Sequence, residues 1–143
     1  MMGIHFMGQV PFSDIYIHAL VRDEKGQKMS KSKGNIIDPV QLMDLHGTDA
    51  LRFTLIAMAA QGRDIKLAEQ RVIGYRNFIT KLWNASRFGE MNGCVFRDSF
   101  DPNTCTLSVN RWLVGNTLTC ASSVEEAIES YRFNEAADAL YHF

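Results

Sequence analysis

What the sequence lacks narrows it first. No apolar run approaches the ~20 residues that a membrane-spanning helix needs. There are only three cysteines, Cys94, Cys105 and Cys120, with no Cys-x-x-Cys pair and no histidine at ligand spacing. A disulfide scaffold and a zinc ribbon are therefore not expected, and a reducing cytoplasm is the expected setting. Met1 to Val10 has no basic stretch and no small-residue cleavage pattern, so a signal peptide is not expected. Charge of one sign is also missing: 15 Lys and Arg face 16 Asp and Glu, for a net −1. That excludes a protein coating nucleic acid by bulk charge. Internal repeats and low-complexity tracts are absent. What remains is 46% hydrophobic and 22% charged over 143 residues, the composition of a chain with an apolar core and the length of one ordinary domain.

The neutral total conceals a gradient. Residues 1–66 carry a net +1, residues 67–97 a net +3 and residues 98–143 a net −5. Arg22, Lys25, Lys28, Lys31 and Lys33 crowd into twelve residues against only Asp23 and Glu24. A solvated loop is the plain reading of such a cluster.

Periodicity supplies the elements. Residues 15–21 (IYIHALV) are nearly all apolar, as in a strand buried on both faces. Glu24, Lys25 and Gly26 make a turn. Asp38-Pro39 is a helix start, with Asp as N-cap and Pro in the first helical position. Gly47 ends that helix, Thr48 caps the next, and Gly62 is placed as its left-handed C-cap. A longer helix is expected from about Ala68 to Phe88, with Val72, Tyr75, Ile79, Leu82 and Trp83 as its apolar face. Gly74 inside it suggests a close helix–helix approach. Residues 89–107 read as a linker. Ser108 then caps a helix to about Tyr131 with a core face of Val109, Trp112, Leu113, Val124, Ile128 and Tyr131. Asn134 caps a last helix that is still periodic at Phe143. The fold class expected is mostly α: one or two strands left from an α/β catalytic domain, then a truncated helical bundle. One strand makes no stable sheet by itself, which points to a piece of a larger α/β protein.

The basic loop is where chemistry concentrates. It reads Lys28-Met29-Ser30-Lys31-Ser32, then Lys33-Gly34-Asn35. Two ammonium groups three residues apart, flanked by hydroxyls, can gather around a polyphosphate. In attack on an α-phosphate, negative charge grows on the equatorial oxygens and the departing pyrophosphate. Cations placed there stabilise the transition state more than the ground state. Gly26 and Gly34 give the backbone freedom to close and reopen.

This pentapeptide resembles the signature of class I aminoacyl-tRNA synthetases. Residues 10–12 (VPF), 15–18 (IYIH), 20–23 (LVRD), 26–39 (GQKMSKSKGNIIDP), 47–53 (GTDALRF), 62–65 (GRDI), 74–78 (GYRNF) and 81–85 (KLWNA) resemble the valine-specific members. Residues 132–137 (RFNEAA) are similar to their anticodon-binding bundle, and the likeness is weakest over 91–110. Ala19 departs from the family's usual Gly after the strand histidine, and the family's His-x-Gly-His motif is not in this chain. The resemblance implies a two-part layout. Residues 1–66 would close the catalytic nucleotide-binding domain with its signature loop and joining helices. Residues 67–143 would begin the anticodon-binding domain. It further implies a parent, monomeric and cytoplasmic, that activates valine with ATP, accompanied by Mg²⁺, and transfers it to tRNA(Val). Lys28 and Lys31 would be the catalytic pair, and Lys28, Met29, Ser30, Lys31 and Ser32 the ATP-binding loop, with Lys31 as main contact. No metal site and no membrane contact are expected within the chain. The fragment alone is expected to be inactive, since half the ATP site and the valine pocket lie elsewhere.

Plainer readings stand beside these. Ser30 and Ser32 can be loop formers only, and Lys33 is expected to be solvated. His18 reads as a satisfied core histidine rather than a catalyst. His5, His46 and His142 show no constellation. Asp49 and Arg52 can form a local helical pair or belong to the joining module. Arg71, Arg76, Lys81 and Arg87 can be a solvated face or meet tRNA phosphates. Trp83 and Trp112 are expected in the core. The alternatives for function are an isoleucyl- or leucyl-tRNA synthetase fragment, a non-catalytic tRNA-binding helical module, and a nucleotide-independent helical interaction domain.

Overall fold

The computed structural model describes residues 1–143 and is mostly helical. Short helix α1 spans Met2–Met7 and stops at Gly8, whose φ of 68° is left-handed. Strand β1 (Val21–Arg22) pairs in parallel with β2 (Ile65–Lys66). Between them lie α2 (Pro39–His46) and α3 (Thr48–Met58). Then come α4 (Glu69–Met91), α5 (Ser108–Glu129) and α6 (Phe133–His142). α3 is the hub, packing on α2, α4 and α6, while α5 packs on α6.

Local chemistry explains the boundaries. The Asp38 side chain accepts from the Val40 N–H at 2.9 Å, with Pro39 in the first turn. Gly47 separates α2 from α3 in a φ of 92°. Gly47 itself, not Thr48, takes the N-cap position of α3, because this backbone already turns the chain. Gly62 is left-handed as expected, but it sits in the turn after α3, and Ala59 is the C-cap. α5 ends in a Schellman arrangement: Arg132 N–H donates to Ala127 O at 2.7 Å and Tyr131 N–H to Ile128 O at 3.0 Å. Tyr131 occupies the left-handed position with φ 57°, where glycine is usual. Its ring stacks on Tyr16 at 6.0 Å and meets Phe133 edge-on, which ties the N-terminal segment to the bundle. α6 starts at Phe133, just before Asn134, with Arg132 bridging Glu126 and Glu135.

The core is small. Leu42, Ala50, Leu51, Leu67 and Val72 form its centre, where α2, α3 and the start of α4 meet. Thr54 is fully buried and satisfies its hydroxyl on Ala50 O at 2.7 Å. Phe53, Phe78, Tyr75 and Tyr141 extend the packing toward α6.

Several expectations fail here for one reason. Residues 15–19 lie in no helix or strand, with Ile17 85% exposed, so the buried strand shrinks to Val21–Arg22. The only ladder lies between residues 20–22 and 65–67, through Ile65 N–H to Leu20 O and Leu67 N–H to Arg22 O. His18 is likewise exposed, its Nδ1 against Ala19 O, and is no core histidine. Trp83 is 65% and Trp112 67% exposed, and Leu82, Val109, Leu113, Ile128 and Tyr131 are exposed too. On α4 the buried residues are Val72 and Phe78. Apolar periodicity marks faces that seek a partner, and within this chain these faces stay largely uncovered.

Gly74 makes no close approach. A methyl group built there meets nothing within 4 Å. Gly74→Ala is therefore expected to stabilise this chain by about 0.5–1 kcal/mol through helix propensity. A raised thermal midpoint by circular dichroism checks this, and a lowered one would show that the position is crowded.

Candidate functional site

The basic loop hangs from the sheet. Arg22 on β1 pairs with Asp64, the residue before β2. That guanidinium holds the Asp64 carboxyl below its ordinary pKa. Directly after β1, residues 23–27 turn back. Gly26 N–H donates to Asp23 O at 2.9 Å, and Asp23 N–H to Gln27 O at 3.1 Å. The Asp23 carboxylate accepts from Gln27 N–H at 2.6 Å and from Asn35 Nδ2 at 2.8 Å. These bonds, Asn35 first, lower the Asp23 pKa and keep it ionised.

Asn35 then closes the loop on itself. Its Oδ1 accepts from Ser30 N–H at 2.9 Å, and its Nδ2 also donates to Lys28 O at 3.3 Å. Residues Lys31–Lys33 form one 3-10 turn, ended by Gly34 at φ 64°. The Ser30 and Ser32 hydroxyls lie 3.3 Å apart. Lys28, Lys31, Ser32 and Lys33 are exposed, while Met29 and Ser30 are half-buried. No lysine of the chain is in an ion pair. Three uncommitted cations, Lys28, Lys31 and Lys33, thus stand on a hydrogen-bonded loop, with two hydroxyls beside them. Such a loop can meet an anion without first breaking a salt bridge.

The other candidates are dispersed. Asp49 and Arg52 pair at 3.4 Å on the exposed side of α3, at the rim of an apolar groove between α3, α4, α5 and α6. Arg71, Arg76, Lys81 and Arg87 are all exposed, and Lys81 lies 5.3 Å from the Phe78 ring centre. Arg76 and Arg87, eleven residues apart, point within about 20° of each other on α4, whereas Arg71 and Lys81 do not share that face. His46 does find a partner: its Nε2 is 2.9 Å from Glu69 Oε1, joining the end of α2 to the start of α4. His5 lies on exposed α1, and His142 pairs with Asp138 at 3.2 Å. The three cysteines are free thiols, half-buried or exposed rather than core residues.

Comparison with known proteins is decisive. A valine–tRNA ligase of Nitrobacter winogradskyi is 67% identical over the whole chain, and one of Rhodopseudomonas palustris 66%. The chain is homologous, end to end, to valine–tRNA ligases. Residues 1–68, the loop included, match the family model of class I tRNA synthetases (I, L, M and V). The chain spans about 15% of the length of the ligases it matches. The fold is also that of a LeuRS from Agrobacterium radiobacter, solved as a ternary LeuRS-tRNA-LeuAMS complex. There the TM-score is 0.77 at 23% identity, covering 95% of this chain and 18% of that one. No helix is long and apolar enough to cross a membrane.

Sequence reasoning singles out the lysines of this loop but misses what holds its backbone. Read as sequence, Asp23 counts only as a charge and Asn35 only as part of a string. Asp and Asn at the two ends of a Gly-containing loop are nonetheless a side-chain-to-backbone turn signal, and that signal could have found them.

Proposed function

We propose that this segment supplies the ATP-phosphate loop of a valine–tRNA ligase and the first helices on its tRNA side. A valine carboxylate oxygen attacks the α-phosphorus of ATP, the bond to the bridging oxygen breaks, and pyrophosphate leaves with that electron pair. Valyl-adenylate then transfers its acyl group to tRNA(Val). Lys31 is the main contact to the phosphates and Lys28 the second. Met29, Ser30 and Ser32 shape the loop and add hydroxyl and N–H donors. The observation that carries this reading is the pair of exposed, unpaired lysines on a closed turn within a segment 67% identical to a valine–tRNA ligase. Mg²⁺ enters as part of the ATP substrate, since the loop offers cations and hydroxyls rather than a set of carboxylates. Residues 1–66 belong to the catalytic part and 67–143 to the anticodon-binding part, with Arg76 and Arg87 the α4 pair best placed for one stretch of phosphates. The enzyme acts as a monomer in the cytoplasm.

Lysine footprinting tests the loop's role. In a full-length ligase carrying this segment, ATP is expected to slow acylation of Lys31 and Lys28 relative to Lys33. Equal modification with and without ATP would instead favour a helical tRNA-binding module without nucleotide chemistry.

A further inference from the structure

Asn35 holds the backbone of the basic loop on both sides of Met29. Asn35 uses three of its four hydrogen-bonding capacities within the loop: it accepts from Ser30 N–H and donates to Lys28 O and to Asp23 Oδ2. Asp23 is itself fixed by the turn to Gln27 and follows directly on β1, whose Arg22 is tied to Asp64. A continuous path of bonds therefore runs from the parallel ladder to the backbone on both sides of Met29. Without it, no backbone hydrogen bond ties the loop between Gln27 and the turn at Lys31–Lys33 to the sheet.

We propose that Asn35, anchored by Asp23, is a positioning residue that latches the Lys28–Ser32 loop into the geometry from which its lysines meet ATP. This rests on the reading of the loop as the ATP-phosphate site. The chemistry admits few substitutes. Aspartate can accept from Ser30 but cannot donate, and it sets a second carboxylate against Asp23. Serine is too short to span three partners, and glutamine displaces the amide by a methylene. Prearranged contacts lower the barrier because the ordering is complete before reaction begins. Losing the latch should act on the rate rather than on ATP affinity alone.

The test uses a full-length ligase carrying this segment, with Asn35→Ala, Asn35→Asp, the exchange pair Asp23→Asn with Asn35→Asp, and Lys31→Ala. In the exchange pair the amide now at position 23 accepts from Gln27 N–H and donates to the carboxylate now at position 35. That carboxylate accepts from Ser30 N–H, so the main path is rebuilt. Asn35→Ala is expected to lower kcat of ATP–pyrophosphate exchange on the order of 10- to 100-fold, with a smaller change in KM for ATP. It should leave the thermal midpoint nearly unchanged and speed tryptic cleavage after Lys28 and Lys31. Asn35→Asp should be as impaired, and the exchange pair should recover much of the loss. If Lys31→Ala cripples exchange while Asn35→Ala stays within about twofold, the latch is overturned and the ATP reading stands. If Lys31→Ala has no effect, the ATP reading falls, and a latch serving that site falls with it. If Asn35→Ala does not fold, the comparison of Asn35→Asp with the exchange pair decides, and no recovery in the pair overturns the latch.

Discussion

Lys31→Ala in a full-length ligase carrying this segment is expected to lower kcat for valine-dependent ATP–pyrophosphate exchange by on the order of 10²- to 10³-fold, while KM for valine changes little. The size follows from where the charge is used. Lys31 is exposed and in no ion pair, so its removal breaks no salt bridge. The thermal midpoint should stay where it is. In the proposed role, what is lost is a cation facing charge that grows as pyrophosphate departs, an interaction stronger in the transition state than in the ground state. A hundredfold loss corresponds to about 2.7 kcal/mol, an ordinary cost for one such donor. Lys28→Ala should cost less. A variant with unchanged kcat and a raised KM for ATP would assign Lys31 to uniform binding instead.

The isolated 143-residue chain is expected not to behave as a compact monomer. Its accessible surface is 11650 Å², against about 7,500 Å² for a folded monomer of 16.2 kDa. Only 11 residues are buried, and the excess surface is rich in large apolar side chains: Ile15 and Ile17 before β1, Trp83, Phe88 and Met91 on α4, Val109 and Trp112 on α5. Apolar area of this extent draws chains together. Light scattering should show mass rising with concentration. X-ray scattering on the dilute monomer should give a radius of gyration well above the ~14.5 Å of a compact domain of this length. A cooperative monomer of compact radius at high concentration would contradict this.

The fold was legible in proportion to how local its causes are. Asp38-Pro39 announced α2 because a cap and a preset φ act within three residues. The bounds of α4 and α5 came within a few residues because helical periodicity is local too. The pairing of β1 with β2 was not legible: Ile65–Lys66 is two residues long and its partner lies over forty residues away. α1 was missed because Met2–Met7 spans under two turns, too few for a helical period to show. Apolar faces were read correctly as faces and wrongly as core. Trp83 and Trp112 fit their stripes, but sequence does not say whether the surface they seek lies in the same chain. At the candidate site, the cluster of exposed lysines was legible as a cluster because the pentapeptide is contiguous. The Asp23–Asn35 bond was not, because it joins two ordinary turn residues twelve positions apart.

The most direct test is the amino-acid dependence of ATP–pyrophosphate exchange by a full-length ligase carrying this segment. Valine should drive exchange far faster than isoleucine or leucine at equal concentration, and Lys31→Ala should abolish most of the valine signal. Exchange driven by isoleucine or leucine instead, or valine-driven exchange indifferent to Lys31, would contradict the assignment of this loop to a valine-activating enzyme.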